Sequence, residues 1–249
     1  MSGTLEGKAA VVTGGAGGIG SAVSKLLASS GARVVVAYNR NEERARELVN
    51  NLPGNGHFAE HVAIEDRTSL ATFAEAVEAH FGDLDILVNN AATTRFIPHD
   101  DLAELDDELF DRIMQVNVRG SFACIRALRP LLEAGERGLI VNMSSIAAVI
   151  GLGSNVAYCA SKAALDSVTR SLARALAPKI RVVSVAPGVV DTPWIGSFDK
   201  QWQDQQMART PLEEFAQPED VAQAVLAVAV NLRSTTGSVV TVDGGRLLG

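Results

Sequence analysis

The chain has 249 residues, 47% of them hydrophobic and 20% charged, which is enough apolar material for one large packed core. The formal net charge is −7 with no basic run, and this argues against nucleic-acid binding because neutralising phosphates requires clustered Lys and Arg. No stretch of about 18 apolar residues suggests a spanning helix, and the N-terminus lacks an apolar signal core. We therefore expect a cytoplasmic protein with neither nucleic-acid nor membrane partners.

Cysteine and histidine usage argues against disulfides and metal sites. Cys124 and Cys159 both fall in helical patterns and are expected to be small buried hydrophobic residues rather than a disulfide framework. His57 and His61 are four residues apart, but the Pro and Gly residues before them disfavour a helix there. No metal site is predicted.

Apolar, β-branched runs alternate with stretches of helical periodicity along the whole chain. This alternation predicts an α/β fold with one parallel sheet of about seven strands, right-handed crossovers and helices on both faces. No linker or repeat divides it, so residues 1–249 are expected to form a single domain. The segment 188–217 is irregular. Predicted strands cover 9–13, 33–38, 57–62, 86–89, 139–143, 181–185 and 239–242, and predicted helices cover 19–31, 41–50, 66–81, 106–132, 155–177 and 218–232.

A glycine cluster, VVTGGAGGIG, separates the first predicted strand from the first helix. Backbone N–H groups can approach a phosphate closely only where side chains are absent, and the N-terminal end of the following helix favours negative charge. A pattern of this kind at the start of a βαβ unit is typical of dinucleotide binding. The alternative is a flexible turn. The glycines concerned are Gly14, Gly15, Gly17, Gly18 and Gly20.

The end of the second strand, AYNRN, bears on which dinucleotide is bound. An acidic residue in this region commonly binds a ribose 2′-hydroxyl, and it would repel a 2′-phosphate. Here no carboxylate precedes Glu42, whereas Arg40 is placed to hold a 2′-phosphate. This favours NADP(H), with NAD(H) as the alternative if Arg40 is only a solvated surface charge. Gly17 supplies no second cation beside the phosphate.

Seven motifs occur in order: TGGAGGIG, NNAA, VNVRG, NMSS, YCASK, APGVVDT and VDGGRLLG. Along its whole length the chain resembles the short-chain dehydrogenase/reductase family. The resemblance implies a single-domain, Rossmann-like doubly wound oxidoreductase that uses a nicotinamide dinucleotide and is usually a homotetramer.

The resemblance also implies site residues. Ser145, 13 residues before the tyrosine, matches the catalytic serine better than Ser144 does. Tyr158 and Lys162 match the catalytic tyrosine and lysine, and Asn117 matches the asparagine that holds a water in a proton relay. Asn89 resembles a residue that supports the sheet beside the cofactor. The implied cofactor-binding residues are Gly14, Gly18, Ile19, Gly20, Tyr38, Asn39, Arg40, Asn90, Ala91, Tyr158, Lys162, Pro187, Gly188, Val190 and Thr192.

The chain departs from the family pattern at three positions. Ala92 replaces a usual glycine, and Val183 stands where asparagine is common. Ala63 stands where an aspartate often meets the adenine, which would leave only a backbone N–H for that contact.

Tyr158 and Lys162 lie four residues apart, so on a helix they share one face about 6 Å apart along the axis. A free tyrosine has a pKa near ~10 and is a poor base at neutral pH. A nearby ammonium group, helped by an oxidised nicotinamide ring, is expected to lower the pKa of Tyr158 and make it an acid–base catalyst. The alternative is an ordinary amphipathic helix with a half-buried tyrosine and a snorkelling lysine.

Substrate recognition is assigned to loops beyond the carboxyl ends of the strands, at 93–96, 147–152 and 188–215. The last segment is expected to form an apolar lid, or else to seal a minor core or a subunit contact. The lid implies a small, partly hydrophobic substrate such as a cyclic ketone, a secondary alcohol or a 3-oxoacyl thioester. Candidate lid residues are Trp194, Ile195, Phe198, Trp202 and Met207.

The sequence leaves several functions open. A ketone reductase using NADPH is favoured, with an NAD⁺-dependent alcohol dehydrogenase as an alternative. A 3-oxoacyl-acyl-carrier-protein reductase would need a basic docking patch beside the entrance, for which Arg126, Arg129, Arg137 and Lys179 are candidates. A non-catalytic dinucleotide sensor and a structural oligomer are the alternatives outside enzymes.

Overall fold

Seven parallel strands form the central sheet in a computed structural model that describes residues 4–193 and 195–248. Their spatial order is β3-β2-β1-β4-β5-β6-β7, and every neighbouring pair runs parallel. The strands are β1 (Ala9–Thr13), β2 (Arg33–Tyr38), β3 (Phe58–His61), β4 (Ile86–Asn89), β5 (Gly138–Met143), β6 (Ile180–Pro187) and β7 (Val239–Val242).

Helices cover both faces of this sheet, as the alternation of patterns predicts. They are α1 (Gly18–Ser29), α2 (Glu42–Asn50), α3 (Arg67–Phe81), α4 (Asp107–Met114), α5 (Ser121–Ala134), α6 (Ala147–Ile150), α7 (Val156–Leu176), α8 (Lys200–Ala208) and α9 (Pro218–Val230). Short 3₁₀ turns lie at Ile195–Ser197 and Arg246–Leu248.

Two hydrophobic cores lie on opposite faces of the sheet because successive strand side chains point to opposite sides. Ala10 and Val12 of β1 belong to the core covered by α1, α2 and α9. Ala9 and Val11 belong to the core covered by α3, α5 and α7. Central strands such as β1 and β5 are buried along their whole length, which explains their continuous apolar sequence. The predicted doubly wound α/β sandwich is confirmed.

The helical region 106–132 differs from the prediction because it is divided. A π-helical segment, Gln115–Gly120, separates α4 from α5. At Gly120 an added Cβ would lie only 2.9 Å from Ile64 Cγ1, so a larger residue would force the segment away from its neighbour. Segments of this kind are frequent at functional sites, and here the π turn contains Asn117.

Helix α8 lies in the segment predicted to be irregular. Its sequence is largely polar and it has no buried residue, so it has no apolar stripe to reveal it. The side chain of Asp199 caps its first turn by accepting from the Trp202 N–H at 2.8 Å.

The sheet order identifies where a ligand would bind. After β3 the chain returns to the centre and then builds outward in the opposite direction, so the order reverses between β1 and β4. Ligands of such folds bind in the crevice outside the carboxyl ends of the strands at this switch point. In residues 4–193 and 195–248, no helix is long and apolar enough to cross a membrane, and no cluster of metal-ligating side chains occurs.

Candidate functional site

Two adjoining cavities, each of about 440 Å³, lie along the carboxyl edge of the sheet and share Asn90, Ala92 and Thr93 in their walls. We call one the glycine-loop cavity, because Gly14 and Gly17 line it together with the end of β2. We call the other the tyrosine cavity, because Tyr158 lines it. Together they offer a continuous groove across the switch point.

The glycine loop brings bare backbone to the start of α1. Gly14 has φ +61°, a conformation that favours glycine. A Cβ on Gly20 would collide with the Gly14 carbonyl oxygen and lie 2.7 Å from Asn90 Nδ2. The N-cap residue Gly17 has no side chain, and no side-chain capping bond occupies the first N–H groups of α1 in the described structure. This cradle fits the phosphates of a dinucleotide.

Thr13 and Asn90 join the ends of β1 and β4 beneath that cradle. Thr13 Oγ1 accepts from the backbone N–H groups of Asn90 and Ala91, each at 3.0 Å. Asn90 Nδ2 donates to the carbonyls of Thr13 and Gly14 at 3.0 and 3.1 Å. Sequence reasoning missed Thr13, since its partners Asn90 and Ala91 lie 77 and 78 residues away along the chain.

Two uncompensated cations line the glycine-loop cavity. Arg40 and Arg44 are both exposed, and neither side chain has a hydrogen-bond or ion-pair partner among the described residues. Arg112 also lines the cavity, but it is paired with Glu65 at 2.7 Å. Gly17 supplies no cation here, but the first turn of α2 brings Arg44 to the same cavity as Arg40, a neighbour that sequence reasoning missed.

Ala63 also differs from expectation. Its backbone N–H, expected to be left for the adenine, donates to Ser69 Oγ at 2.9 Å. The N-terminal turn of α3 takes up this donor, so the predicted backbone contact is wrong. Val62, Ile64 and Glu65 line the cavity instead.

Ser145, Tyr158 and Lys162 line the tyrosine cavity, and we call these three residues the Tyr158 wall. Ser145 follows β5, while Tyr158 and Lys162 lie one turn apart on α7. Asn155 fixes the start of α7: its Oδ1 accepts from the Tyr158 N–H at 2.7 Å, and its Nδ2 donates to the Arg95 carbonyl at 2.7 Å. Tyr158 and Lys162 are thus held on a capped helix, and Ser145 lies in the short connection after β5.

Lys162 is only 3% exposed. Its Nζ donates to the Met143 carbonyl at 2.7 Å and lies 5.5 Å from the centre of the Tyr158 ring. Burial lowers the pKa of Lys162 to about 8, and the carboxylate of Asp166, one turn further along α7, opposes that shift. Asp166 is itself buried, and its Oδ1 has no partner in the described part of the chain.

The pKa of Tyr158 is raised, principally by burial, while the neighbouring Ser145 hydroxyl acts in the opposite direction. The expectation that Lys162 lowers this pKa is not met by the protein's own groups. Desolvation of the Tyr158 phenol outweighs the positive charge of Lys162, because the ammonium group bonds to the Met143 carbonyl and faces the tyrosine ring. The phenol is therefore protonated at neutral pH.

The two serines after β5 differ in their surroundings. Ser145 Oγ accepts from the Ala147 N–H at 3.2 Å and makes a long contact of 3.5 Å to the Pro187 carbonyl. Ser144 Oγ donates to the Lys162 carbonyl at 3.4 Å. Of the two, only Ser145 affects the pKa of Tyr158.

Asn117 lies behind the tyrosine cavity and is only 1% exposed. Its Oδ1 accepts from the Thr93 N–H at 2.8 Å, and its Nδ2 donates to the Thr93 carbonyl and Ser161 Oγ, each at 3.1 Å. These bonds hold the 93–96 loop against α7. The predicted water-holding role stays a prediction.

Asn89 lies at the buried end of β4, under the site, as its predicted supporting role requires. Its Nδ2 donates to Asn142 Oδ1 at 2.9 Å, and Asn142 in turn donates to Thr169 Oγ1 at 2.8 Å. This buried row ties β4 and β5 to α7. Sequence reasoning identified Asn89 but missed the other two residues.

An aromatic cluster borders the tyrosine cavity. Phe198 stacks on Trp202 with ring centres 4.4 Å apart and meets Phe96 edge-on at 5.3 Å. Ile195 and Trp202 line the cavity. Of the other two candidate lid residues, Met207 does not line either cavity as described, and Trp194 lies outside the described residues.

The remaining predicted cofactor residues divide between the cavities. Gly18 and Gly20 line neither in the described structure and instead pack beneath Thr192 and Asn90. Those lining the glycine-loop cavity are Gly14, Tyr38, Asn39, Arg40, Asn90 and Ala91. Those lining the tyrosine cavity are Ile19, Asn90, Tyr158, Lys162, Pro187, Gly188, Val190 and Thr192.

Comparisons with known proteins extend over nearly the whole chain. A family profile described as "Enoyl-(Acyl carrier protein) reductase" matches residues 14–246. A Streptomyces violaceoruber protein described as granaticin polyketide synthase putative ketoacyl reductase 2 is 40% identical over 242 residues, 96% of each chain. The cis-4-hydroxycyclohexanecarboxylate dehydrogenase of Sinomonas cyclohexanicum is 38% identical over 243 residues, again 96% of each.

A solved structure gives the same result for the fold. The short-chain dehydrogenase/reductase of Brucella melitensis, described as glucose/ribitol dehydrogenase, superposes with a TM-score of 0.92 at 30% identity and covers 99% of both chains. Sequence, fold and site geometry agree. The chain belongs to the short-chain dehydrogenase/reductase family and is a nicotinamide-dinucleotide-dependent oxidoreductase acting on carbonyl and alcohol groups.

Proposed function

We propose that this protein is an NADPH-preferring reductase of a small, partly hydrophobic ketone, with Tyr158 as the proton donor. The observation that carries the proposal is the Tyr158 wall, where a protonated phenol, a serine hydroxyl and a buried lysine border one cavity. A bound NADPH supplies a hydride from its nicotinamide ring to the carbonyl carbon.

Tyr158 gives its proton to the oxygen that gains charge during reduction. A pKa raised by burial keeps the phenol protonated at neutral pH, which suits a donor and hence the direction of reduction. Ser145 donates a hydrogen bond to the same oxygen and stabilises the developing charge. The long 3.5 Å contact of its hydroxyl with Pro187 is easily exchanged for this bond.

Lys162 binds the nicotinamide ribose hydroxyls and holds a positive charge beside the tyrosine. Its pKa of about 8 leaves it mostly protonated at pH 7. Asn117 keeps the 93–96 loop against α7 and, through a water, connects Lys162 to solvent. The contacts of Asn117 with Thr93 and Ser161 support the first of these roles.

Preference for NADPH over NADH is attributed to Arg40 and Arg44. Both border the glycine-loop cavity without an acidic partner, and the adjacent Arg112 is already neutralised by Glu65. A 2′-phosphate accepting from two guanidinium groups gains charge-assisted hydrogen bonds that a 2′-hydroxyl cannot match.

The substrate is a cyclic or otherwise bulky ketone. Support comes from the aromatic cluster of Phe96, Phe198 and Trp202 and from the apolar lining beside Tyr158. The Sinomonas relative is named for a secondary alcohol on a six-membered ring, the product side of such a reduction. Segment 188–215 acts as the lid within a single domain of 1–249.

A carrier-bound 3-oxoacyl thioester is the second candidate, favoured by the ketoacyl reductase name of the Streptomyces relative. The expected docking patch does not support it well. Arg137 and Lys179 immediately precede β5 and β6, at the amino ends of strands whose carboxyl ends border the cavity. Arg129 is paired with Glu133 at 2.8 Å. Arg126 is the member of the set left after these exclusions; it is exposed and has no ion-pair partner within residues 4–193 and 195–248.

A homotetramer in the cytoplasm is the proposed state of the protein. Phe110 and Phe122 expose 37% and 41% of their surfaces on α4 and α5, as helices that pack against other subunits would. Cys124 and Cys159 are both buried free thiols, which suits a reducing compartment.

Parallel fluorescence titrations with NADPH and NADH at one salt concentration test the proposal, followed by a screen of carbonyl compounds. We expect tighter binding of NADPH and oxidation of NADPH by cyclic ketones. Equal or tighter NADH binding would make Arg40 and Arg44 mere surface charges, and turnover only of secondary alcohols with NAD⁺ would reverse the proposed direction.

A further inference from the structure

Part of the lining of the tyrosine cavity comes from the end of α8 and from the C-terminal turn. We call this part the C-terminal wall; it consists of Trp202, Gln206, Arg209 and Arg246. None of these residues has a part in the proton or cofactor chemistry above. Two of the four are arginines.

The turn that carries Arg246 is specifically built. Gly244 and Gly245 have φ +61° and +87°, and a Cβ on Gly244 would lie 2.6 Å from Thr210 Cγ2. The carboxylate of Asp243 accepts from the Gly245 and Leu247 N–H groups at 3.1 and 3.0 Å. These features bring Arg246 against the end of α8.

Arg246 is held there by neutral groups only. Its Nη1 donates to the Gln206 carbonyl at 2.6 Å and to Thr210 Oγ1 at 3.3 Å, and its Nη2 donates to Gln206 Oε1. These bonds use three of the five N–H donors of a guanidinium group. In residues 4–193 and 195–248 the side chain has no carboxylate partner, so its charge is fixed in place but not neutralised.

Arg209 places a second positive charge beside it. Its side chain is exposed and has no hydrogen bond or ion pair within the described chain. The two cations repel, and Arg209 together with burial lowers the pKa of Arg246. Like charges brought together at a cavity are unfavourable unless an anion joins them.

The charged side chains that line the tyrosine cavity are positive, whereas the net charge of the protein is negative. The charged residues described in the cavity lining are Lys162, Arg209 and Arg246, and no acidic side chain is among them. The chain nevertheless has 29 acidic and 22 basic residues. Between these charges the lining is largely apolar, with Phe96, Leu152 and Ile195. This chemistry fits a ligand with an apolar body and one negative group.

We propose that the substrate is a keto acid whose carboxylate binds Arg209 and Arg246 while its ketone lies at Tyr158. This inference rests on the proposed function and narrows its substrate class. A guanidinium group binds a carboxylate through parallel, charge-assisted N–H···O bonds. Both groups line one cavity of about 440 Å³, so the ketone and the carboxylate belong to one small molecule. In a carrier-bound thioester, by contrast, the negative group is the phosphate of the carrier arm, which is separated from the ketone by a long chain.

The test compares 4-oxocyclohexanecarboxylate with its neutral analogue 4-oxocyclohexanecarboxamide, using NADPH. In the wild type we expect kcat/KM to be about ten-fold or more higher for the carboxylate, since hydrogen bonds to charged groups are the stronger ones. In Arg209→Gln and in Arg246→Gln this ratio should fall toward one. Arg233→Gln is the matched control. Arg233 is exposed and precedes the amino end of β7, whereas Arg246 follows the carboxyl end of that strand. A wild-type ratio near one, or a ratio unchanged in both variants, overturns the inference while leaving the ketone reductase proposal intact.

Binding without turnover separates the two proposals. Calorimetric titration with cyclohexanecarboxylate should show binding to the wild type that weakens in Arg209→Gln, whose exposed side chain has no structural bonds to lose. If cyclohexanecarboxylate binds in this way but the protein reduces no ketone, the anion site is supported and the proposed reaction is contradicted. Absence of carboxylate binding overturns the inference. Binding of 4′-phosphopantetheine that is lost in the arginine variants, with no effect on the carboxylate, would overturn the keto acid in favour of a carrier arm.

Discussion

The Tyr158 wall and the C-terminal wall border the same cavity but are built differently. Tyr158 and Lys162 lie on a 21-residue helix that is capped by Asn155 and packed on the sheet. Arg209 and Arg246 lie at the end of an unburied helix and on a glycine turn. We propose from this contrast that the Tyr158 wall, built on a long packed helix, performs the chemistry, and that the partly exposed C-terminal wall selects the substrate.

Replacing Tyr158 by Phe should have the largest effect, because it removes the proposed proton donor from the Tyr158 wall. We expect kcat for ketone reduction to fall by about a thousand-fold, within the range for general acid catalysis. Binding of NADPH should change by less than about three-fold, since the helix and Lys162 remain. Steady-state kinetics and a fluorescence titration of the same preparation measure both.

Cys159→Ala is the control for Tyr158→Phe. Cys159 is the next residue on α7, is buried, and lines neither described cavity. It should keep most of the wild-type rate. More than about a tenth of the rate remaining in Tyr158→Phe would remove Tyr158 from the proposed role.

The double substitution Arg40→Gln and Arg44→Gln tests the two exposed arginines of the glycine-loop cavity. Loss of two charge-assisted contacts to a 2′-phosphate should weaken NADPH binding by about ten-fold or more and leave NADH binding within about two-fold. Arg46→Gln is the matched control, because Arg46 lies on the same helix, is paired with Glu42 at 2.7 Å and lines neither described cavity. If the affinities for NADPH and NADH fall equally, the two arginines do not bind the 2′-phosphate.

Asp166→Asn should have the smallest effect, a displacement of the pH profile. Lys162 has a pKa lowered to about 8, so reduction should be full below that pH and lost as pH rises through it. Asp166 raises the pKa of Lys162, so its removal should move this fall in activity to lower pH. Profiles of kcat/KM for wild type, Asp166→Asn and the charge-conserving Asp166→Glu make the comparison. If kcat/KM falls at the same pH in Asp166→Asn as in the wild type, deprotonation of Lys162 is not the cause of that fall.

The Tyr158 wall was largely predictable from the sequence, and the C-terminal wall was not. Seven strands and the long α7 have continuous or amphipathic apolar patterns, so their positions follow from local periodicity. Tyr158 and Lys162 are one helical turn apart, and their proximity follows from helix geometry alone. Helix α8 has no apolar stripe and could not be recognised in this way.

Properties that depend on tertiary packing could not be read from local patterns. Arg246 reaches Gln206 only after two glycines turn the chain, and Arg44 reaches the glycine-loop cavity only once α2 is docked. The pKa of Tyr158 was wrongly expected to be lowered by the protein, because a sequence gives the charge of Lys162 but not the desolvation of the phenol. Asn117 was recognised, but its bonds to Thr93 and Ser161 were not.

The central claim, reduction of a ketone at the Tyr158 wall, is tested most directly by isotope transfer. Wild-type protein would be incubated with a cyclic ketone and NADPH deuterated on both hydrogens of nicotinamide C4, and the product analysed by mass spectrometry. We predict a secondary alcohol with one deuterium on its carbinol carbon, formed by the wild type and Cys159→Ala but not by Tyr158→Phe. An alcohol without deuterium at that carbon, or labelled alcohol formed equally by Tyr158→Phe, would contradict the account.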